Sequence, residues 1–351
     1  MHLLPILFLT FGATAAGPGP ATPELVGPGQ NESCLDCHSE DLELDLDSGE
    51  EINFAVDGEK LDHSIHGEKL GCVDCHVDLK GTEGAHPRKR LGSAREFTVT
   101  YSKQCERCHL DEGAQVRGGV HHPGEAGDGS QAAVCADCHG AHEVERPAEA
   151  RAAIARSCNR CHEKVAETYA HSVHGAGGPK ANPDLPVCTD CHRGHDFAAP
   201  GTGAWKLSTP ELCGKCHGDE AKMQKYGLST DVMRTYVDDF HGMTAHLLEG
   251  EEGAAPAIAV CTDCHGTHDI QKADAPGSRV LKANLVETCR KCHPDANENF
   301  PGAWLSHQVP SFKRTPLVAS VRFFYMVVIP FMIGGLVLQI GLHLWRVVVK
   351  R

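Results

Sequence analysis

Eighteen cysteines carry the chemistry of this 351-residue chain, and every one falls in a Cys-x-x-Cys pair followed at once by histidine. The nine pairs are Cys34 and Cys37, Cys72 and Cys75, Cys105 and Cys108, Cys135 and Cys138, Cys158 and Cys161, Cys188 and Cys191, Cys213 and Cys216, Cys261 and Cys264, and Cys289 and Cys292. The histidines that close them are His38, His76, His109, His139, His162, His192, His217, His265 and His293. No cysteine is left over for a disulfide or a free thiol. Two thiols at this spacing add to the two vinyl groups of one porphyrin, and the adjacent imidazole reaches the iron as proximal axial ligand. A lone Cys-x-x-Cys also serves zinc or thiol redox chemistry. Nine pairs all ending in histidine, in a chain with 24 histidines, put those readings far behind. The motifs predict nine covalently attached haem c groups, each with one iron.

The occupant of the second axial position decides between conduction and bond-making chemistry. Fifteen histidines stand outside the motifs, among them His2 and His343 near the two ends of the chain. Position narrows the other thirteen. His66, His121, His174 and His241 stand between paired motifs, and His86, His142, His195 and His268 follow the second motif of a pair. His307 follows the ninth motif. These nine are the expected distal ligands, giving two imidazoles to every iron. The rule selects the set and leaves the pairing open, because a distal histidine often serves a different haem from its sequence neighbour. His63, His122, His171 and His246 are spare, and each remains an alternative to its neighbour. Methionine ligation is open only in the fourth repeat, which holds Met223, Met233 and Met243.

These residues are organised as a repeat. Four doubled units span 34–86, 105–142, 158–195 and 213–268, and a half unit spans 289–307. Together they form an expected nonahaem domain over 34–312. The template is clearest at 158–195, with His162 and His192 proximal and His174 and His195 as its distal residues. Roughly 33 residues per haem are too few for an ordinary hydrophobic core, so the porphyrins must themselves be the core. The expected fold is mainly α with much irregular structure, a haem-packed array of short motif-bearing helices, plus one C-terminal transmembrane helix. Helices are expected over 143–157, 219–226 and 231–248, and a small hairpin over 52–56 that turns at Asp57-Gly58. An acidic run fills 40–51, and a basic one fills 87–95. The basic run is either a solvated linker or a partner for haem propionates.

The formal charge of −14 argues against a nucleic-acid partner. Residues 1–16 read as a signal peptide, although the usual basic start is missing, and 17–33 as a flexible Gly/Pro-rich leader. Residues 323–345 contain no Asp, Glu, Lys or Arg. They form the heart of a membrane anchor expected over 318–346, with a cytoplasmic tail at 347–351. Basic residues flank the span on both sides, so export of the haems decides the orientation. The expectation is a single-pass protein of the cell inner membrane, haem domain facing the periplasm. Gln339 and His343 lie within the span. His343 reads as a haem ligand, a quinol contact, or an interfacial or helix–helix residue.

The elements HSIHG at 63–67, HSVHG at 171–175, CHGAH at 138–142 and CHGTH at 264–268 give the chain a resemblance. It resembles the multihaem cytochromes c with doubled motifs, of the class III (tetrahaem) and octahaem kinds, over about 34–307. The resemblance implies close-packed haems of low potential that pass single electrons. It also implies a membrane partner that reacts with quinol or quinone, such as a cytochrome b, and a periplasmic redox partner. The leading expectation is therefore an electron carrier in a respiratory chain. The alternative is a multihaem redox enzyme, of nitrite, hydroxylamine or tetrathionate type, with one open haem in 213–268. Tyr226, Arg234, Tyr236, Asp238 and His246 would then deliver protons. A haem filament is a third reading, disfavoured by the membrane span.

Overall fold

A computed structural model describes residues 23–349 apart from 83–85, 88–89, 91, 123–131, 179–181, 197–198, 200, 249–257 and 304–306. The expected signal peptide, the start of the leader, part of the basic run and the last two residues of the tail lie outside the described residues. The chain divides into two compact units, Met1–Glu163 with Val187–Ala198, and Lys164–Pro186 with Ala199–Arg351. The division cuts through the third repeat. The first unit holds six motifs and the second holds three.

Helices dominate and nearly all are short, as 37 glycines and 20 prolines require. Each motif starts on, or ends, such a helix. Examples are Asn31–His38, Cys72–Cys75, Cys135–His139, Cys188–Cys191, Gly203–His217, Cys261–His265 and Leu285–Arg290. The motifs at 105 and 158 begin as single 3-10 turns, Cys105–Arg107 and Cys158–Arg160. The helix expected over 143–157 is Pro147–Ser157, opened by a proline whose missing N–H costs nothing there.

Three expectations are corrected. The hairpin pairs Glu43–Asp45 with Glu51–Asn53, placing Leu44 opposite Ile52, and its chain reversal lies at 46–50. Asp57-Gly58 is not its turn. The Asp57 side chain accepts from the Lys60 N–H at 3.1 Å and caps the helix Gly58–His63. Asp-Gly suits a helix start as well as a hairpin, because the carboxylate satisfies an orphan N–H in either setting. The long helix expected over 231–248 is two helices, Asp231–Val237 and Phe240–Leu247. Asp239 breaks it, its side chain accepting from the Gly242 N–H at 3.0 Å. The helix expected over 219–226 is shorter, Glu220–Gln224.

Little polypeptide core exists. Among the described residues, the buried apolar side chains larger than alanine are Val73, Val187, Leu207, Met223, Tyr236 and Val260. In the second unit Leu207, Tyr236, Ala245 and Val260 form one cluster, with Leu248 and Ile258 against it. Val187 and Val260 each precede the first cysteine of a motif, so the core lies directly beneath the attachment sites.

The last helix, Pro316–Val349, has a mean hydropathy of 2.2 over its most apolar window, none of it buried. Its 34 residues rise about 1.5 Å each, more than the ~30 Å hydrocarbon layer demands. The helix is compatible with a transmembrane anchor. It runs through Pro330 and extends past both expected ends at 318 and 346. Leu336, Gln339, Ile340, His343 and Leu344 line a shallow groove on one side of it.

Candidate haem centres

Among the described residues the motif histidines do not gather into metal clusters; eight of the nine meet one other histidine each. In the first unit His38 faces His86 with ring centres 6.2 Å apart, and His66 faces His109 at 6.1 Å. His76 faces His142 at 6.2 Å, His121 faces His162 at 6.3 Å and His139 faces His195 at 5.9 Å. In the second unit His174 faces His217 at 6.1 Å, His241 faces His293 at 6.3 Å and His265 faces His307 at 6.2 Å.

These separations are those of two imidazoles sharing one metal. A metal–nitrogen bond of about 2.0 Å and a further ~1.1 Å to each ring centre put the two centres about 6.2 Å apart. Among the described residues, no three or more His, Cys, Asp or Glu side chains form a metal-binding group. Zinc would need such a group, whereas a haem iron takes four ligands from its porphyrin and only two from the chain. The cysteines fit as well, because none of the eighteen is in a disulfide and all are either half-buried or exposed. The residues therefore suit haem. Proximal His192, in the first unit, and distal candidate His268, in the second, are outside these eight pairs.

Several ligand nitrogens are prepared for this role. The His38 Nδ1 lies 3.1 Å from the Phe54 carbonyl and the His86 Nδ1 lies 3.3 Å from that of Pro87. A carbonyl only accepts, so Nδ1–H donates in both and the lone pair is left on Nε2. Burial holds His66, His121, His139, His142, His174, His217, His265, His268 and His307 below the usual histidine range. They stay neutral, which is the form that binds iron.

The pairing follows a rule that crosses the repeats. A histidine standing between paired motifs meets the first motif histidine of the next repeat, as His66 meets His109, His121 meets His162, His174 meets His217 and His241 meets His293. A histidine following the second motif reaches back one repeat, as His142 meets His76, His195 meets His139 and His307 meets His265. The first motif has no preceding repeat, and His38 takes His86 from its own. Backbone bonds tie the two kinds of distal segment together. The Ile65 N–H donates to Val144 O and the Val173 N–H to Ile270 O, both at 2.8 Å.

The turns that present these histidines are built from small residues. Ser172, buried, donates to Tyr169 O at 2.7 Å and accepts from the His174 and Gly175 N–H groups at 3.2 Å. Ser64 accepts from the His66 N–H at 3.1 Å. Glycine follows the histidine because the chain folds back on itself there. A Cβ at Gly67, Gly175 or Gly242 would stand 2.1, 2.0 or 2.0 Å from the carbonyl oxygen of Leu61, Tyr169 or Tyr236.

A second device was legible in the sequence and carried no reading. The residue before the second cysteine is aspartate in the second motif of every doubled unit: Asp74, Asp137, Asp190 and Asp263. Each carboxylate caps its motif helix, accepting from the N–H of Gly71, Val134, Val187 or Val260 at 2.6–2.8 Å. Three are also held by cations on the helix that leads into, or carries, the first motif of the same doubled unit. Arg95 bridges both oxygens of Asp137 at 2.9 Å, Arg151 pairs with Asp190, and Lys206 lies 3.1 Å from Asp263. The arginine at the same place in the following motif then donates to the aspartate's carbonyl, Arg107 to Asp74 O at 2.9 Å and Arg160 to Asp137 O.

Attachment sites also neighbour one another in order along the chain within each unit. The first thiols of paired motifs are neighbours, Cys34 with Cys72, Cys105 with Cys135, Cys158 with Cys188 and Cys213 with Cys261. Between repeats, Cys75 is near Cys108, Cys138 near Cys158 and Cys264 near Cys289.

Residues 127–218 match the family model for cytochrome c3. The match supports a multihaem electron-transfer cytochrome c. It spans four of the nine motifs, those at 135, 158, 188 and 213, and implies covalently bound haem c. No curated protein and no solved structure matches the chain.

The remaining candidates are placed elsewhere. Of the spare histidines, His63 bonds the Glu59 carbonyl through Nδ1 at 2.7 Å, and the His171 carbonyl accepts from Gln271. Met223 is buried, Met233 packs over Gly214 and Met243 is exposed. The groups suited to proton delivery are engaged in other contacts. Tyr226 bonds Asn182 and Asp184 at 3.1 Å, Arg234 pairs with Asp231 at 2.6 Å, and the Tyr236 hydroxyl donates to Ala259 O at 3.1 Å. Asp238 and His246 are exposed.

Proposed function

We propose that the protein is a membrane-anchored carrier of nine haem c groups, one on each motif. It transfers single electrons in a respiratory chain, between a quinol- or quinone-reacting membrane partner such as a cytochrome b and periplasmic redox partners. The observation that carries this reading is the set of eight imidazole pairs at one-iron spacing. Two imidazoles on one iron leave no position for a substrate, so these residues favour conduction over bond-making chemistry. Bound haem supplies a one-electron ferric–ferrous couple.

The chain's own part is ligation, spacing and order. The motif histidines are the proximal ligands, and His66, His86, His121, His142, His174, His195, His241, His268 and His307 are the distal ones. The thiol contacts line the attachment sites up in sequence order within each unit. That order favours a relay whose last member, at Cys289 and Cys292, is followed directly by the anchor helix. Entry or exit of electrons at the membrane is then expected there. Export through the expected signal peptide places the haem domain in the periplasm, with Arg346, Lys350 and Arg351 on the cytoplasmic side. The enzymatic alternative needs an open iron in 213–268. His174 opposite His217 and His307 opposite His265 weigh against it.

A coulometric titration of the purified protein tests the reading. Nine electrons per chain are expected to enter reversibly without any added substrate, with the mature mass showing nine attached haems. Fewer electrons than motifs, or current that flows only when an oxyanion is added, would overturn it.

A further inference from the structure

Ring planes divide the eight pairs into two classes, and the class follows the place of the distal histidine in its repeat. Histidines between paired motifs meet their partners steeply, at 61° for His66, 48° for His121, 49° for His174 and 59° for His241. Histidines that follow a motif lie flatter, at 3° for His86, 25° for His142, 34° for His195 and 17° for His307. Three of the four steep histidines, His66, His174 and His241, sit on a buried-serine or aspartate turn closed by Gly67, Gly175 or Gly242, where no Cβ fits. For His142 of the flat class, the loop leaves its motif helix through Gly140, whose φ of 74° favours glycine.

Plane angle matters because an imidazole donates π density perpendicular to its ring. Two parallel rings act on the same iron d orbital and split it from its neighbour. Two crossed rings act on one orbital each and leave the pair nearly degenerate. Parallel rings therefore give a rhombic ferric ion stabilised against reduction, and crossed rings give a strongly anisotropic ion that is reduced more easily.

On the two-imidazole reading given above, we infer that the repeat builds two electronic classes of haem. Haems at the motifs beginning at Cys34, Cys72, Cys135 and Cys261 are rhombic with lower potentials. Those at Cys105, Cys158, Cys213 and Cys289 are anisotropic with higher potentials. The classes alternate along the chain from Cys72 to Cys158 and from Cys213 to Cys289. Electrons thus meet shallow alternating steps set by which turn supplies the ligand. Gly67, Gly175 and Gly242 act as positioning residues for three of the four steep pairs, those of His66, His174 and His241.

Electron paramagnetic resonance of the oxidised full-length protein, with spin quantitation and a redox titration, tests this. Two low-spin envelopes are expected, one rhombic and one with a large principal g value, each holding about half the spin. The large-g envelope should vanish first on reduction. An all-low-spin spectrum of a single class, or reduction in the opposite order, would overturn the inference. A high-spin ferric signal in the unaltered protein would instead overturn the ligation reading beneath it. In addition, His121→Ala should subtract from the large-g envelope and His142→Ala from the rhombic one, and the reverse would contradict the assignment. Should either variant fail to fold, the two-envelope ratio of the unaltered protein still decides.

Discussion

Deprived of haem, the motif-bearing part of this protein is expected to be unfolded. Only six buried apolar side chains larger than alanine occur among the described residues, and four of them lie in or beside motif helices. Fixing each residue's backbone costs about 1–2 kcal/mol, and so few buried side chains cannot offset that over some 280 residues. The motif helices are too short to persist alone; Cys72–Cys75 and Cys188–Cys191 are single turns. On the proposed ligation, two iron–imidazole bonds and two thioethers per haem would join one short helix to the next. Replacing all eighteen cysteines by serine should reduce the helical circular dichroism to that of the Pro316–Val349 helix and leave the backbone amides of the motif-bearing part unprotected from exchange. A cooperative thermal transition in that variant would refute the claim. The logic is that of small metal domains, whose binding energy is their folding energy.

The second large effect is remote from its mutation in sequence. Replacing His174 by alanine should leave the haem of the next repeat, at Cys213 and Cys216, with one axial ligand. About one ninth of the ferric haem should become high-spin and bind carbon monoxide on reduction. The haems of His174's own repeat should be unaffected. A background lacking Cys213 and Cys216 makes the test specific, since the new high-spin signal should then disappear. If the signal persists there, the cross-repeat pairing is wrong. Gly175→Ala should give the same spectral change by another route, because its Cβ would meet Tyr169 O at 2.0 Å and displace the turn. Gly118→Ala, with nothing within 4 Å, should be silent.

The sequence made some of this readable and hid the rest for physical reasons. A Cys-x-x-Cys-His motif is local chemistry, so its attachment roles need no tertiary structure to be recognised. The recurring positions of the distal candidates were also legible, because one role recurs at one place in each repeat; eight of the nine candidates stand opposite a motif histidine. Their partners were not legible. The template at 158–195 names His174 and His195 without fixing the motif histidines they meet, and they face His217 and His139. Pairing is set by how successive turns lie across one another, through bonds such as Val173 to Ile270, and repeat counting holds no trace of that. Asp57-Gly58 misled because one dipeptide suits both a turn and a helix cap. The aspartates at 74, 137, 190 and 263 were visible as a pattern, but their meaning depends on Arg95, Arg151 and Lys206 arriving from elsewhere in the chain.

Carbon monoxide binding to the fully reduced, full-length protein tests the central claim most directly, since it counts irons that lack a second imidazole. The account predicts a low-spin spectrum unchanged by the gas at neutral pH. Stoichiometric uptake of one carbon monoxide per chain would contradict it and point to an open, reactive haem.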